Sequence, residues 1–241
     1  MNIRNVVVTL AARLLFLIFL IIYFVPFLIL ILTPIKYRLQ SKFFGMLMYG
    51  FYWGSLKCAL IPIQYEGLEH VPNGPAIFAA NHQSSLDIPL IGKLAGWTPQ
   101  AWLATTYLLQ SPLLRFWVPR IAVMVDTETP FKAMRSLLDI IKLVEDKNCH
   151  VMIFPEGERF FDDQVHEFFG GFAILAKKLK RPVVPVCIMG ANKVYPRGAF
   201  WVNWQEIRVV VGKPFYYHDE DTDEIFKQRV YQWFVDLVGA A

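Results

Sequence analysis

Two short polar segments interrupt an otherwise apolar chain, and each directly follows an apolar run. The first contains Asn81, His82 and Asp87. A turn between the histidine and the aspartate lets the carboxylate reach one imidazole nitrogen, which fixes the tautomer and stabilises the imidazolium while the other nitrogen points outward. The spacing therefore predicts a general base for a hydroxyl group. A capped helix with a satisfied histidine is the structural alternative that a single His–Asp pair leaves open.

The second polar segment, residues 154–159, reads FPEGER. Its Arg159 can bind a phosphate group through two parallel hydrogen bonds, and Glu156 beside Gly157 suits the orientation of a polar head group. Taken alone, the segment is typical of a surface turn with an ion pair. The two segments together are more specific than either one.

The elements that must position these segments follow from the pattern after Gln64, where short β-branched or apolar runs alternate with helical patterns. This alternation predicts an α/β domain with a mostly parallel sheet flanked by helices. Both polar segments follow predicted strands, and α/β proteins bind ligands at the carboxyl ends of parallel strands. The predicted strands are residues 76–80, 101–105, 121–125, 150–154, 183–189 and 207–211.

Two helices of this domain are clearly marked. Thr129 and Pro130 suit the cap and first turn of a helix that ends near Val144, with apolar residues at helical spacing along one face. A carboxy-terminal helix starts near Thr222 and carries large apolar side chains on one side. These stripes are typical of core packing rather than of a cofactor site.

With these segments and strands, the chain resembles the glycerolipid acyltransferases of the lysophosphatidic acid acyltransferase family. The first motif of that family, N-H-x-x-x-x-D, is matched by Asn81, His82 and Asp87. Its third motif, F-P-E-G-x-R, is matched at residues 154–159, and its fourth, a V-P-V strand, at residues 184–186, followed by a P-x-G turn. The matches occur in the order of the family.

The resemblance implies an O-acyltransferase that works by direct transfer. His82, oriented by Asp87, would take the proton from the free hydroxyl of a lysophospholipid, and that oxygen would attack the thioester of acyl-CoA or acyl carrier protein. The expected acceptor is 1-acyl-glycerol-3-phosphate, which would give phosphatidic acid. We expect no cofactor and no metal ion. The implied substrate-binding residues are Asn81, Glu156, Gly157 and Arg159, with Lys193 and Arg197 on the loop after the fourth motif.

The chain departs from the family pattern at three places that often carry cations. Residues 105–107 are Thr-Thr-Tyr where the second motif tends to have lysine and glutamate. Residues 126–127 are Asp-Thr rather than Asp-Arg, and residues 168–171 lack the usual basic residue. Each direct contact to a charged group contributes about 1.5 to 3 kcal/mol. Acylation of another lysolipid therefore stays open, although Lys193 and Arg197 could compensate.

Charge is distributed unevenly along the 241 residues. Residues 1–65 contain six basic and no acidic side chains. The remaining residues therefore contain 18 of the 24 basic side chains and all 20 acidic ones. Residues 14–32 are uncharged and as a helix would reach about 28 Å, close to the thickness of a bilayer core. Residues 43–63 form a second apolar stretch rich in glycine and aromatic residues, as in a partner or interfacial helix.

We therefore predict a two-helix membrane anchor at residues 1–62 and an α/β acyltransferase domain at residues 63–241, on the cytoplasmic face of a phospholipid membrane. A cleaved signal peptide is the alternative, but a small-residue cleavage site is lacking before Thr33. Spanning the bilayer and lying within one leaflet are equally open.

Several functional classes do not fit the sequence. It has no P-loop, no G-x-G-x-x-G after a strand, no G-x-S-x-G elbow and no H-E-x-x-H helix. Its cations flank an apolar segment instead of covering a folded face, so nucleic acid is not an expected partner. The three separated cysteines are typical of packing roles in a reducing compartment.

Three rival functions remain open. A membrane-anchored protein could keep this fold and bind lipid without turnover. A transacylase would take its acyl group from another phospholipid without coenzyme A. A metal-dependent hydrolase would need acidic and histidine ligands, for which the candidates are His82, Asp87, Asp162, Asp163 and His166.

Overall fold

One mixed sheet organises the part of the protein that the computed structural model describes, residues 2–196 and 198–240. Its strands are β1 (Ile63–Glu66), β2 (Ile77–Ala80), β3 (Gln100–Thr105), β4 (Val123–Val125), β5 (His150–Ile153), β6 (Val183–Met189) and β7 (Ile207–Val211). They are ordered β1-β7-β6-β2-β5-β3-β4. Every neighbouring pair is parallel except β6 and β7. The predicted α/β class with a mostly parallel sheet is confirmed.

Helices cover both faces of this sheet. They are α1 (Ile3–Ile22), α2 (Phe24–Leu32), α3 (Ile35–Arg38), α4 (Lys42–Cys58), α5 (Asp87–Gly92), α6 (Pro112–Ile121), α7 (Pro130–Val144), α8 (Gly171–Leu179), α9 (Ala191–Val194) and α10 (Asp223–Gly239). Three 3₁₀ segments, Leu68–His70, Lys93–Ala95 and Thr106–Gln110, connect them to the strands.

The strands alternate their side chains between two cores. Phe78 and Ala80 of β2 pack in a core that includes residues of α4, α5 and α6, whereas Ile77 and Ala79 point to the opposite core with α7, α8 and α10. All four side chains are fully buried. Because both faces of the sheet are covered, its central strands read as continuous apolar runs, and this explains why they were recognisable in the sequence.

All six predicted strands are present, and the structure adds β1. This strand pairs in parallel with β7 at the edge of the sheet and is only partly buried. Its sequence, IQYE, mixes polar and apolar residues because one side faces solvent. In addition, the first residue of β1, Ile63, was counted as the end of the apolar stretch at residues 43–63. The missed strand therefore lacks the continuous apolar run that identified the others.

The two clearly marked helices begin where their caps predicted. The Thr129 side chain accepts a hydrogen bond from the Lys132 amide, and α7 starts at Pro130. Thr222 accepts from the Ile225 amide at the start of α10. Each cap satisfies an amide that the first helical turn leaves unpaired.

The single helix predicted at residues 14–32 is wrong in its boundaries. Helix α1 already starts at Ile3, and the helical run breaks at Tyr23 before α2. The cause is Pro26, which cannot donate to the carbonyl of Ile22 four residues earlier and whose ring crowds that carbonyl. Among the described residues, only α1 is long and apolar enough to cross a membrane by length and composition.

The inner face of α1 is bound to residues 200–204, which precede β7. Thr9 is completely buried, and its hydroxyl accepts a hydrogen bond of 3.0 Å from the Val202 amide. The Asn5 side chain accepts one of 3.1 Å from the Trp204 amide, and Arg13 donates to the Phe200 carbonyl. These contacts make the first half of α1 an integral helix of the folded protein.

The outer face of α1 and α2 is apolar and exposed along its whole length. The polar side chains of α1 contact residues 200–204, although Arg4 and Arg13 are also exposed, and the side of the two helices away from these residues is hydrophobic. This exposed surface, called the apolar face below, consists of Ile3, Val7, Leu10, Leu14, Leu17, Ile18, Ile21, Ile22, Val25, Ile29 and Leu32. Contiguous apolar surface of this extent marks a membrane or protein interaction site.

Helix α4 corresponds to the second apolar stretch, for which the sequence left a partner helix or an interfacial helix open. It packs against α1 where a Cβ on Gly54 would come within 2.2 Å of the Phe19 ring, so glycine permits this contact. Its Tyr52 is fully buried in the core of the sheet. Helix α4 is therefore a partner helix, and residues on both sides of the predicted boundary at 62 share one core. The division into 1–62 and 63–241 stays a prediction.

Candidate active site

The two polar segments meet at one edge of the sheet. Strands β2 and β5 are parallel neighbours, with Ile77 opposite Val151, so the chain leaves both strands on the same side. The turn after β5 folds over the turn after β2, and the Phe160 amide donates a 2.9 Å hydrogen bond to the His82 carbonyl. The register of this one strand pair thus brings the histidine and the FPEGER segment together.

His82 and Asp87 form the predicted pair. The Nδ1 atom of His82 lies 2.7 Å from Oδ2 of Asp87, which is the first residue of α5 and is completely buried. The same oxygen accepts hydrogen bonds of 2.6 and 2.7 Å from the Gln83 and Ser84 amides. These backbone donors stabilise the negative charge of the buried carboxylate and hold it against the imidazole.

An aromatic platform holds the other side of the imidazole. The His82 ring stacks on Phe154 with centroids 3.8 Å apart and planes 12° from parallel. Phe154 in turn lies 5.9 Å from the Trp102 ring. Within the described chain, Nε2 of His82 has no hydrogen-bond partner, and it is not among the buried unpaired atoms. The free nitrogen is therefore open to a ligand.

A buried network connects this platform to α4. The Trp102 indole donates hydrogen bonds to the Tyr52 hydroxyl and to the Gln100 side-chain oxygen, at 2.9 and 3.1 Å. The Gln100 amide donates to the Gly92 carbonyl at the end of α5. Nothing in the sequence marked Trp102 or Tyr52 as a support for the site, because both look like ordinary core residues.

Glu156 lies between the two turns of the site. Its carboxylate is buried and accepts hydrogen bonds from two backbone amides, that of His82 at 2.9 Å and that of His166 at 3.2 Å. Burial raises the pKa of this carboxyl group to about 7, although the two amide donors act in the opposite direction. Glu156 therefore connects the two turns from inside, and its assignment as a substrate-binding residue stays a prediction.

Asn81 is likewise structural in this geometry. Its side-chain oxygen accepts from the Ile188 amide at 2.7 Å, and its side-chain nitrogen donates to the Ile188 carbonyl at 2.9 Å. The buried side-chain amide of Asn81 thus binds the backbone of β6 just after the backbone pairing of β2 with β6 ends at Ala80. These two hydrogen bonds fix the first turn of the site, and the prediction that Asn81 contacts substrate stays a prediction.

Gly157 and Arg159 complete the FPEGER turn. Gly157 has a φ of +76°, and a Cβ there would come within 2.7 Å of the Phe169 ring, so only glycine fits without displacement. The Arg159 guanidinium is partly buried, which lowers its pKa, while the Asp87 charge opposes that shift. Its Nε is buried without a hydrogen-bond partner among the described residues. Arg159 is therefore the cation of this turn, and its guanidinium group can still donate hydrogen bonds to an anion.

The other predicted cations contribute less to the described geometry. Lys193 is exposed and forms an ion pair of 2.8 Å with Asp163, whose second oxygen accepts from the Asn192 side chain. An anionic ligand would have to compete with Asp163 for this ammonium group. Arg197, the remaining candidate, lies outside the described residues.

A second histidine lies beside the first, and its role differs from the one that its spacing suggested. Nε2 of His166 lies 3.0 Å from both carboxylate oxygens of Asp162, and its ring stacks on Phe160 at 3.6 Å. The Gln83 side chain donates to the Asp162 carbonyl. Across residues 2–196 and 198–240, no three His, Cys, Asp or Glu side chains group as metal ligands. The five residues of the hydrolase hypothesis are thus not assembled as one ligand set.

Fold and site together define a class of protein. It is an α/β protein that presents an oriented histidine, with one free nitrogen, at the carboxyl ends of parallel strands, as a general base requires. A family model described as Acyltransferase matches residues 62–189. This chain belongs to that Acyltransferase family.

Individual relatives agree with this assignment. The chain is 31% identical over 173 residues to the chloroplastic 1-acyl-sn-glycerol-3-phosphate acyltransferase LPAT1 of Arabidopsis thaliana, covering 68% of this chain and 47% of the relative. It is 29% identical over 181 residues to the 1-acyl-sn-glycerol-3-phosphate acyltransferase of Limnanthes alba, covering 74% and 64%. The chain spans about half the length of the curated relatives it matches.

A solved structure has the same fold. The crystal structure of the 1-acyl-sn-glycerophosphate (LPA) acyltransferase PlsC from Thermotoga maritima superposes with a TM-score of 0.74 at 23% identity. The match covers 99% of this chain and 96% of that one. The common fold therefore includes the amino-terminal helices as well as the sheet.

The buried carboxyl group of Glu156 makes a prediction about stability. Its pKa is raised to about 7 in the folded protein, so between about pH 4.5 and 7 the unfolded chain releases a proton that the native chain keeps. The free energy of unfolding should then fall with rising pH, by up to about 3 kcal/mol for this group.

The test compares the wild type with Glu156→Gln by chemical denaturation across this pH range in detergent. The variant cannot titrate at this position, so the stability advantage of the wild type should shrink as the pH rises and level off above about 7. A constant difference between the two proteins would contradict the raised pKa.

Proposed function

We propose that this protein transfers a fatty acyl group from a thioester to the free hydroxyl of a lysophospholipid. The observation that carries the proposal is the His82–Asp87 pair with its free Nε2. A buried carboxylate on Nδ1 keeps the proton on that nitrogen in the neutral imidazole, so Nε2 presents a lone pair. A non-catalytic lipid-binding protein would have no use for this arrangement.

The reaction needs one proton to move twice. Nε2 of His82 takes the proton from the acceptor hydroxyl, and the oxygen forms a bond to the thioester carbonyl carbon. When the carbon–sulfur bond breaks, the leaving thiolate takes the proton from the imidazolium. Asp87 stabilises the transient imidazolium through its 2.7 Å contact with Nδ1. No covalent acyl-enzyme is required, and neither is a cofactor beyond the donor, acyl-CoA or acyl carrier protein.

The proposed acceptor is 1-acyl-glycerol-3-phosphate, and the product is phosphatidic acid. Two curated relatives that cover 68% and 74% of this chain carry the name of this acyltransferase. Arg159 supports the choice, since its unpaired Nε lies close enough to the site for the Asp87 charge to act on it. Lys193 would join in binding the phosphate after leaving Asp163.

We also propose that the apolar face lies within one leaflet of the membrane, on its cytoplasmic side. A helix that crossed the bilayer could not keep its first half hydrogen-bonded to residues 200–204 of the catalytic part. Lying in the plane instead buries the exposed side of α1 and α2 and leaves the inner contacts intact. Lysolipid acceptors would reach the site from the same leaflet.

Replacement of His82 tests the mechanism. His82→Ala should leave a folded protein whose acyl transfer from radiolabelled acyl-CoA to lysophosphatidic acid falls at least about a hundredfold, as expected on loss of a general base. His218→Ala is the matched control, because that side chain is exposed and remote from the site. Near-normal turnover in the His82 variant would rule out the proposed base.

The same assay separates the rival functions. Product formed only when a second phospholipid replaces the thioester would identify a transacylase. Lipid binding without turnover by the wild type would identify a non-catalytic protein. Activity lost to EDTA and restored by zinc would support the hydrolase hypothesis instead.

Replacement of Arg159 tests the acceptor. Arg159→Ala should lower kcat/KM for lysophosphatidic acid by about ten- to a hundredfold, which corresponds to one charged contact of about 1.5 to 3 kcal/mol. Monoacylglycerol, which lacks the phosphate, should be used equally by variant and wild type. Arg135→Ala, an exposed substitution on α7, is the control. An effect confined to the KM of acyl-CoA would assign Arg159 to the donor.

Cysteine labelling tests the membrane topology. In a Cys58→Ser background, Ile22→Cys and Gln40→Cys place single accessible thiols at the end of α1 and after α3. In reconstituted vesicles, a membrane-impermeant maleimide should label position 40 from one side and position 22 from neither side. Labelling of position 22 from the side opposite to position 40 would show that α1 spans the bilayer.

A further inference from the structure

A pocket of about 160 Å³ lies at the edge of the sheet, outside the site described above. Helix α4, strand β1 and the 3₁₀ turn after α5 enclose it. Its walls combine apolar and polar surface, and two lysines line the same space. The lining residues are Trp53, Leu56, Lys57, Ile61, Ile63, Tyr65 and Lys93.

The two lysines have no anionic partner within residues 2–196 and 198–240. Neither Lys57 nor Lys93 forms an ion pair, and the chain contains no acidic residue before Glu66. That glutamate is itself bound by Arg208. Burial and the charge of Lys57 both lower the pKa of Lys93. Two ammonium groups that repel each other beside an apolar wall provide a strong preference for an anion.

The walls indicate what kind of anion fits. Trp53, Leu56 and Lys57 lie on one side of α4 at helical spacing. The apolar surface of the indole and the leucine is therefore adjacent to the Lys57 side chain. The Lys57 ammonium lies 5.8 Å from the Trp53 ring, and the Lys93 ammonium lies 4.5 Å from the Tyr65 ring. A small inorganic anion would use the cations and leave the apolar walls empty. An amphiphile with an anionic head would use both.

We propose that this pocket binds an anionic membrane phospholipid, with its phosphate between Lys57 and Lys93 and the start of an acyl chain against Trp53 and Leu56. The neighbouring Gly54 contacts Phe19 of α1, so the pocket is next to the helix that carries the apolar face. Trp53 is half exposed, as is typical of tryptophan at head-group depth. Lysines near such a surface attract anionic lipids.

The lipid in this pocket is a second ligand, separate from the acyl acceptor. Helix α5 begins at Asp87 and runs into the 3₁₀ turn that carries Lys93, so about 9 Å of helix separates the two positions. The Tyr65 hydroxyl also donates to the Leu90 carbonyl of α5. The proposal does not rest on acyl transfer, because its test measures binding alone.

The experiment uses full-length protein and phosphatidylcholine vesicles with or without phosphatidylglycerol brominated near the head group. Bromine quenches nearby indole fluorescence, and the share due to Trp53 is the difference between wild type and Trp53→Phe. At the same mole fraction, brominated phosphatidylglycerol should quench that share more strongly than brominated phosphatidylcholine does. The double variant Lys57→Gln/Lys93→Gln should lose this quenching and bind anionic vesicles about tenfold more weakly. Lys57→Arg/Lys93→Arg should restore both.

The matched control is Lys36→Gln/Lys42→Gln, which removes two unpaired exposed cations from the same amino-terminal helices. It should keep the quenching of Trp53 by phosphatidylglycerol. Equal loss in the control and in the pocket variant would mean general surface attraction and would overturn the proposal. The proposal would also be overturned if inorganic phosphate prevented the quenching by brominated phosphatidylglycerol as effectively as unlabelled phosphatidylglycerol does. The pocket would then be a site for a free anion.

Discussion

The buried carboxylate of Glu156 is the contact on which the geometry of the site depends. One oxygen accepts the amide of His82 and the other accepts the amide of His166, so a single side chain fixes the backbone of two loops. A carboxylate away from water is costly unless its charge is satisfied by hydrogen bonds. The two turns are therefore bound to the same position, and His82 is held by its main chain as well as by its ring.

Helices α1 and α4 are connected to the site by a series of side-chain contacts. Helix α4 contributes Tyr52, whose hydroxyl accepts from Trp102, and Trp102 lies beside the Phe154 ring on which His82 stacks. At its other side α4 packs against α1 through Gly54. The apolar face and the His82 ring are thus connected through close contacts of side chains.

The sequence predicted the elements with strong local signals. Buried central strands such as β6 appear as continuous apolar runs, and the helices that begin at Pro130 and Asp223 carry side-chain caps. It did not predict β1, because an edge strand that is half exposed lacks such a run. Nor did it predict the break at Tyr23, since hydropathy does not register the missing amide of Pro26. Strand β1 and the helix break were both missed because solvent exposure and backbone hydrogen bonding are not visible in the hydropathy of the sequence.

Sequence alone predicted the pair of side chains at the centre of the candidate site. His82 and Asp87 are five positions apart, a local relation that a single turn can satisfy, and their predicted contact is present at 2.7 Å. The tertiary structure decided what the polar residues around them do. In the motif Asn81 and Glu156 look like ligands, but they bind the backbone of Ile188 and of His82, which lie on distant segments that the sheet brings near. Whether a polar side chain faces substrate or backbone depends on such long-range neighbours, and spacing along the chain carries no information about them.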